Sequence, residues 1–439
     1  MSYGSLENWK DMKTENKKLE QKHSRMGVSL FGLLISVFGI LSTGWVQAQS
    51  FSLDSVLKVI ERENPMLHTY RNRANAMHAY VAGSRSIMAP EVGGGLWMFP
   101  YQKQDYGMME DTRQVMVSVS QTFTNPAKLK ANHEYMASRA YIEHTNERVL
   151  YNQLRAQAKG AYYTWIVLAQ KKKQLVESEE ILNLMLKVAR VRYPYNQEKL
   201  ANIYKAEGRL YEIKNMQLMN DNGIEQQRNL LLQLMNSAPA TNLEIDTVVS
   251  PFNPVLVDTT LLSANRSDLM QLDRTIHSMR LNQALEKAQT RPDFNINFSH
   301  MISVGQGMPN QFMLLGMVTI PIAPWSSKMY KANAKAMDYE IGSMKTERVA
   351  IMNEVQGMTT RMLSEINTLK KQLDNYEQRI MPALQKNYET VMLAYEENKE
   401  ELPMVIDGWE ALNMTRLQYL DTKLKYYEMI VSYEKEIEK

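Results

Sequence analysis

Cysteine is absent from the 439 residues. That excludes disulfides, thiolate metal sites, cysteine nucleophiles and acylation at a lipoprotein cysteine. A charge imbalance is nearly absent as well. The 51 Lys and Arg against 48 Asp and Glu leave a net charge of +3, which gives no electrostatic footprint for nucleic acid. The mean hydropathy of −0.41 excludes a bundle of many membrane-spanning helices. Histidine is scarce, with seven scattered residues. "HE" at 133–134 lacks the second histidine of a zinc helix, and "GGGLW" at 93–97 lacks the lysine and helix start of a phosphate loop. No nucleophile, base and orienter group together, so no catalytic residue, metal ligand set or cofactor is expected, and the chain reads as a non-enzyme.

Long apolar runs are also missing, with one exception. Residues 26–50, "MGVSLFGLLISVFGILSTGWVQAQS", follow Lys17, Lys18, Lys22 and Arg25. "VQA" at 46–48 supplies small residues at cleavage positions, so residues 1–48 read as a secretory signal cut after Ala48. The other reading is a single transmembrane anchor, since the run is nearly long enough to span. On the first reading the mature chain begins near Gln49, outside the cytoplasm.

Proline and glycine are sparse in a telling way. From Ala127 to Arg192 there is no proline and only one glycine, Gly160. Helical spacing resumes at Leu200 and runs to about Met235. Between them "YPYN", 193–196, breaks the pattern, because proline lacks the amide proton and clashes with the preceding turn. The pattern predicts a hairpin of two long helices. A helix over 127–192 would extend roughly 100 Å.

The same plan occurs twice. "AP" at 89–90 returns as "RP" at 291–292, "KAN" at 130–132 returns at 331–333, and "ERV" at 147–149 returns at 347–349. "YPYNQEKL" at 193–200 matches "YEENKEEL" at 395–402, so the break at Pro194 has a partner at Glu397-Asn398-Lys399. Residues 49–236 and 258–439 are read as two structural repeats, with 237–257 as the linker. Each begins with a helix, about 53–88 and 259–289. Two segments of period 2 follow: 92–101 and 113–123, then 293–302 and 311–320. "QVMVSVSQTF" puts Val115, Val117 and Val119 on one face and Gln114, Met116, Ser118 and Ser120 on the other. "FNINFSH" likewise separates Phe294, Ile296 and Phe298 from Asn295, Asn297 and Ser299. The fold class is mainly α with a small β part.

Four strands in two hairpins are not stable alone. They could pack on helices in a soluble protein, or close a barrel with copies from other chains. Membrane barrels use strands of about 9–11 residues, alternating apolar and polar faces, and aromatics at the interfaces. Trp97, Phe99, Tyr101, Phe123 and Trp325 lie near the strand ends.

Ordered motifs along the chain add to this pattern: "FSLDSVLKVIERENPML" at 51–67, "VSVSQTFTNPAKLKANHEYMAS" at 117–138, "IMPALQKNYETVMLAYEENKEELPMVIDGWEAL" at 380–412, and the tail "TRLQYLDTKLKYYEMIVSYEK". Taken with the duplication, they resemble the TolC-type outer-membrane efflux channels. The resemblance implies a homotrimer in outer-membrane lipid, with a shared 12-stranded β-barrel and a long periplasmic α-helical barrel. It implies a periplasmic adaptor protein and an inner-membrane transporter, of RND type, as partners, and no cofactor. The hairpin tips, Pro194, Tyr195, Asn196, Glu397, Asn398 and Lys399, would face the adaptor. The family usually has glycine at these turns. Asn196 and Asn398 are a mild departure, since asparagine also tolerates the left-handed conformation.

In that family the second tip carries two aspartates at the pore entrance, three residues apart. Asp407 matches the second and Met404 the first. The family's nearby arginine matches Glu400, and the acidic position of the first tip matches Asn202, which puts the usual inter-hairpin ionic latch in question. Three copies of Asp407 and Glu400 would favour cations; the bland reading is ordinary solvated charges. Methionine is abundant, 32 residues. Met98, Met108, Met109, Met116, Met301, Met308, Met313 and Met317 lie in or near the strands, either as packing residues or as soft ligands for copper or silver. A heavy-metal efflux channel is thus one expectation. A coiled-coil scaffold, secreted or anchored by its N-terminal segment and presenting helical hairpins, is the alternative from another class.

Overall fold

The computed structural model describes residues 50–101, 112–247, 252, 259–304 and 308–439. The signal over 1–48, much of the 237–257 linker, and Met108 and Met109 lie outside the described residues. Phe51–Thr241 and Ile245–Lys439 form one compact unit, described below; the other unit, Met1–Ser50 with 242–244, contributes only Ser50 and 242–244 to the described residues.

The first repeat opens with α1 (Leu53–Glu63) and α2 (Pro65–Gly83). The helix expected over 53–88 is therefore two. Asn64 ends the first in an extended conformation and caps the second, its side chain accepting from the Met66 amide, while Pro65 takes a first-turn position that needs no donor. Strands β1 (Glu91–Trp97) and β2 (Gln114–Phe123) follow, then α3 (Pro126–Arg192), one 3-10 turn (Tyr193–Tyr195) and α4 (Leu200–Leu234). The 67 residues of α3 would extend about 100 Å.

The second repeat has α5 (Thr259–Asn265), α6 (Ser267–Ala288), β3 (Asp293–Ser303), β4 (Gln311–Thr319), α7 (Pro324–Asn375), α8 (Met381–Glu396) and α9 (Leu402–Glu436). Between α7 and α8, Tyr376–Ile380 forms a π turn. Pro382 explains it: the ring has no N–H for the i−4 carbonyl and would clash with it, so the helix widens by one residue. In place of the regular bond, the Met381 amide donates to Tyr376 O.

One contact recurs at matching positions of the two halves. Asn64 Nδ2 donates to Leu234 O at 2.9 Å, and Arg266 Nη1 donates to Glu436 O at 2.7 Å. Donor and acceptor of the first bond thus recur, one repeat length on, as donor and acceptor of the second. Asn196 and Asn398 are left-handed, with φ 58° and 57°, and so are Asn236 and Glu438, with φ 54° and 55°. In each repeat the start of the second helix is thus tied to the end of the return helix.

The strands form one antiparallel sheet in the order β1-β2-β3-β4, with β1 and β4 at the edges. Its polarity is inverted relative to a soluble sheet. Val115, Val117 and Val119 lie opposite Ile302, His300 and Phe298, and this mostly apolar face is exposed: Val117 by 46%, Ile296 by 48%. On the two central strands the polar face is half-buried or buried, while the edge strand β4 is exposed on both faces. Asn295 Nδ2 donates to Ser120 Oγ and Thr122 Oγ1, both at 2.9 Å, and Ser299, 2% exposed, donates to Asn297. At the end of the sheet, Lys128 in the first turn of α3 is buried and pairs with Asp293 at 2.5 Å, and the Asn125 amide donates to the same carboxylate at 2.9 Å. These contacts and the hydrogen bond from Asn125 Nδ2 to Pro292 O bind the first long helix to the second repeat's strand.

Far from the sheet, Leu182, Met185, Ala189, Ile203, Ala206, Leu210, Leu402, Val405, Ile406 and Trp409 share one apolar core. The two hairpins therefore pack side by side near their tips. The left-handed turns set a prediction. Asn398→Gly should leave the unfolding midpoint within error. Asn398→Val should lower stability by roughly 1–2 kcal/mol, read as a loss in thermal midpoint, because a β-branched side chain is strained at positive φ.

Candidate functional site: the hairpin tips and the inner sheet face

The first tip, Pro194, Tyr195 and Asn196, is exposed, as are Glu397, Asn398 and Lys399 of the second. In each turn a left-handed asparagine reverses the chain and its amide closes the turn, Asn196 to Tyr193 O at 3.0 Å and Asn398 to Tyr395 O at 3.1 Å. Lys399 folds back onto Glu397 at 2.5 Å. Of the six tip residues, Asn196, Asn398 and Lys399 line one recess together with Arg192, Glu198 and Tyr395.

Tyr395 anchors that recess. It is 3% exposed, and its hydroxyl donates to Glu198 Oε2 at 3.0 Å. The Arg192 guanidinium lies 4.3 Å from its ring centroid while Nη1 donates to Tyr395 O at 3.1 Å. Burial first, then the hydrogen bond to Glu198, push the Tyr395 phenol up to about 12. Glu198 also accepts from Asn202 Nδ2 at 2.7 Å. Asn202 is thus engaged within its own hairpin rather than standing as an entrance acid.

The entrance candidates take distinct places. Asp407 and Met404 are exposed on the first turns of α9, and Glu400 sits in the turn before it, its amide donating to Ala394 O. Asp407 Oδ1 accepts from Lys205 Nζ at 2.7 Å. Beside it, Lys199 pairs with Glu401 at 2.9 Å and Arg209 with Glu410 at 2.8 Å. An ionic connection between the hairpins does exist, then; Asp407 takes part in it, while its partner Lys205 and the flanking pairs are residues to which the resemblance did not point. Sequence reasoning missed Lys199, Lys205 and Arg209. The available signal was the repeat itself, since Lys199 with Glu401, and Lys205 with Asp407, occupy matching positions of the two repeats. These pairs are solvated, so each is worth about 0.2–1 kcal/mol at most.

The second region is the polar face of the sheet. The register puts Met116 opposite Met301 on this face, with Met313 and Met317 on the same side of β4. Gln114 Nε2 reaches Met308 Sδ at 4.0 Å. Among the described residues no group of three or more His, Asp or Glu could hold a metal, and no helix is long and apolar enough to cross a membrane.

No protein-family model matches the chain, and no curated protein matches it in sequence. Solved structures do match. CusC, described for its folding and transmembrane channel formation, aligns with a TM-score of 0.73 over 90% of this chain and 94% of its own, at 14% identity. The chain has the fold of the TolC-type outer-membrane channels. The CmeC outer membrane channel of Campylobacter jejuni aligns with a TM-score of 0.71 over 88% and 85%, at 12% identity. The open state of the MtrE outer membrane channel of Neisseria gonorrhoeae aligns with 0.69 over 88% of each, at 14%. The fold class read from the sequence, mainly helical with a small sheet, is the observed one.

The raised Tyr395 phenol yields a pH prediction. A group whose folded value lies above its ordinary 10 contributes stability in full below pH 10 and loses it as pH rises toward about 12. Amide exchange over residues 393–406 should therefore accelerate between pH 10 and 12. Tyr395→Phe should remove that step while leaving exchange at pH 8 within a few-fold; an unchanged profile would refute the assignment.

Proposed function

We propose that this protein is the outer-membrane channel of a tripartite efflux system. It is a passive homotrimeric conduit that receives cargo from an RND-type inner-membrane transporter through a periplasmic adaptor. The observation that carries this reading is the inverted sheet. Exposed Val92, Val117, Phe298, Ile296, Leu314 and Val318 share one face, and hydrogen-bonded Ser, Thr and Asn share the other. Water would penalise that arrangement, whereas a barrel wall between lipid and an aqueous lumen requires it. The unpaired edges support a closed assembly, because lipid offers nothing to satisfy backbone groups.

On this reading the tips point toward the adaptor, and Asp407 with Lys205 lines the narrow entrance. Pseudo-equivalent residues touch most readily where they converge on the axis that relates them, and Lys199–Glu401 and Lys205–Asp407 are such pairs. The entrance ring would then alternate in sign, which weakens the cation preference expected of bare aspartates. Asp407→Asn should shift the reversal potential in planar bilayers toward anions, and Lys205→Met toward cations.

The cargo we propose is a soft metal cation, copper or silver. Support comes from Met116, Met301, Met313 and Met317 on the inner face, thioethers suited to such ions. Gene deletion should sensitise cells to copper or silver more than to organic drugs; sensitisation to drugs alone would remove the cargo and leave the channel.

The membrane reading has its own test. Arginine at Val117 or Ile296 should lower assembly by roughly 2–4 kcal/mol, while arginine at Ser118 or Asn297 should be much milder. Equal assembly yields of heat-resistant trimer from all four variants would contradict it.

A further inference from the structure

Between α2 and α3 lies a recess of about 630 Å³ to which the channel reading gives no role. The two helices run antiparallel. Arg71 on α2 donates to Glu147 on α3 at 2.6 Å, and nearer the sheet Asn132 Nδ2 donates to Ser84 O at 2.9 Å. Between these ties, Ala79 and Gly83 stand one turn apart on α2 and bring little or no side chain to the wall. A Cβ at Gly83 would meet no atom within 4 Å, so the space beside it is open. Met77 and Met136, both half-buried, give the recess an apolar lining, and the Tyr80 ring, 64% exposed, flanks it. Arg139 is the charged residue of the lining. Its guanidinium has no ion pair or hydrogen bond among the described residues, and no described lining residue is acidic.

The second repeat supplies an internal comparison. "KAN" at 130–132 returns at 331–333, and Asn333 reaches Glu286 as Asn132 reaches Ser84. On that correspondence Met77 and Met136 become Met279 and Met337. Ala79 and Gly83, however, become Leu281 and Leu285, both half-buried, and Arg139 becomes Glu340. The thioethers are common to both repeats. The small residues and the unpaired cation are particular to the first, so packing of such a helix pair does not require them.

An open space between helices forfeits dispersion contacts, and an unpaired guanidinium is a ready partner for a carboxylate or phosphate. Recesses of about 300–1,000 Å³ with an apolar lining and one or two polar anchors are the usual form of a small-molecule site. The same charge disfavours a metal cation at the two thioethers.

We propose that this recess binds an amphiphilic anion, an acyl chain ended by a carboxylate or phosphate. The chain lies over Ala79 and Gly83 against Met77 and Met136, and the head pairs with Arg139. The site does not depend on the channel reading, since every residue of it comes from one chain.

The test uses the full chain in phosphatidylcholine nanodiscs, irradiated with dodecanoate that carries a photoactivatable diazirine. Labelling should be saturable, should map to 77–84 and 132–139, and should be competed by plain dodecanoate. Gly83→Leu introduces the residue that the second repeat carries, at a helical position where nothing obstructs it. It should abolish the labelling while leaving the thermal midpoint without ligand unchanged. Arg139→Gln should weaken competition by dodecanoate about tenfold or more, Arg139→Lys much less, and competition by uncharged dodecanol should not respond to either. Phosphatidylglycerol with the diazirine in its chain separates the two sources. If it labels the same segments the ligand comes from the membrane, and if only dodecanoate does the ligand is a soluble amphiphile; both outcomes support the site. Equal labelling of Gly83→Leu and the unaltered chain, or labelling confined to other segments, would overturn the proposal and leave the channel reading untouched. Competition by dodecylamine as strong as by dodecanoate would overturn the assignment of an anion.

Discussion

Backbone hydrogen bonding at the edges of a four-stranded sheet is the constraint on which the rest of the molecule depends. Each edge strand has one side that pairs with no further strand among the described residues. In water such an edge is an aggregation hazard, and in lipid it is intolerable. The apolar face sharpens the problem, because this sheet cannot simply lie on the helices with its polar side outward. The Ser, Thr and Asn of the covered side already bond among themselves. The proposed closure with further copies would satisfy both demands at once, since each copy already contains one seam between the halves.

Duplication also explains how a thin sheet can be joined to very long helices without a large core. The same device recurs in each repeat: a donor at the start of the second helix, Asn64 or Arg266, bonds a carbonyl at the end of the return helix. The two versions differ in strength. Asn64 is neutral, whereas Arg266 also holds Asp268 and Glu436, and those bonds raise its own affinity for the proton despite burial. Partners in place, a buried guanidinium is well tolerated; its removal would strand carboxylates instead. Elsewhere the helices are held by periodic apolar contacts, and the continuous core near the tips joins both hairpins.

Much of this architecture was legible in the sequence for definite reasons. Period-2 alternation in 114–120 and 294–299 marked the central strands, and both faces were sorted correctly. Pro194 marked the first tip, and Asn196 and Asn398 were readable as left-handed turns. Alternation could not say which face would be covered, since soluble and lipid-facing strands share the pattern. Three interruptions were missed: Asn64–Pro65, its counterpart Arg266 in the helix expected over 259–289, and the π turn before Pro382. Asn64–Pro65 is a cap followed by a first-turn proline, a signal present in the sequence but submerged in an otherwise continuous helical pattern. Pro382 looks like a helix start, yet the flanking helices run through it by widening one turn. At the tips, the engagement of Asp407 by Lys205 was invisible to local spacing, because its partner lies one whole repeat away.

The tip chemistry follows from the same repeat geometry. At the positions that face each other across the hairpins, one repeat kept lysine and the other an acid, Lys199 with Glu401 and Lys205 with Asp407. Like charges there would repel, and the apolar core beneath, with Leu402, Val405 and Ile406, could not close as tightly. Opposite charges let the tips approach while remaining hydrated, and their small individual worth keeps that approach reversible. Tyr395 does the opposite: buried, bonded to Glu198 and covered by Arg192, it fixes the base of the turn. Tyr395 thus anchors the turn from its own hairpin, beside weak, solvated ionic contacts between the two hairpins.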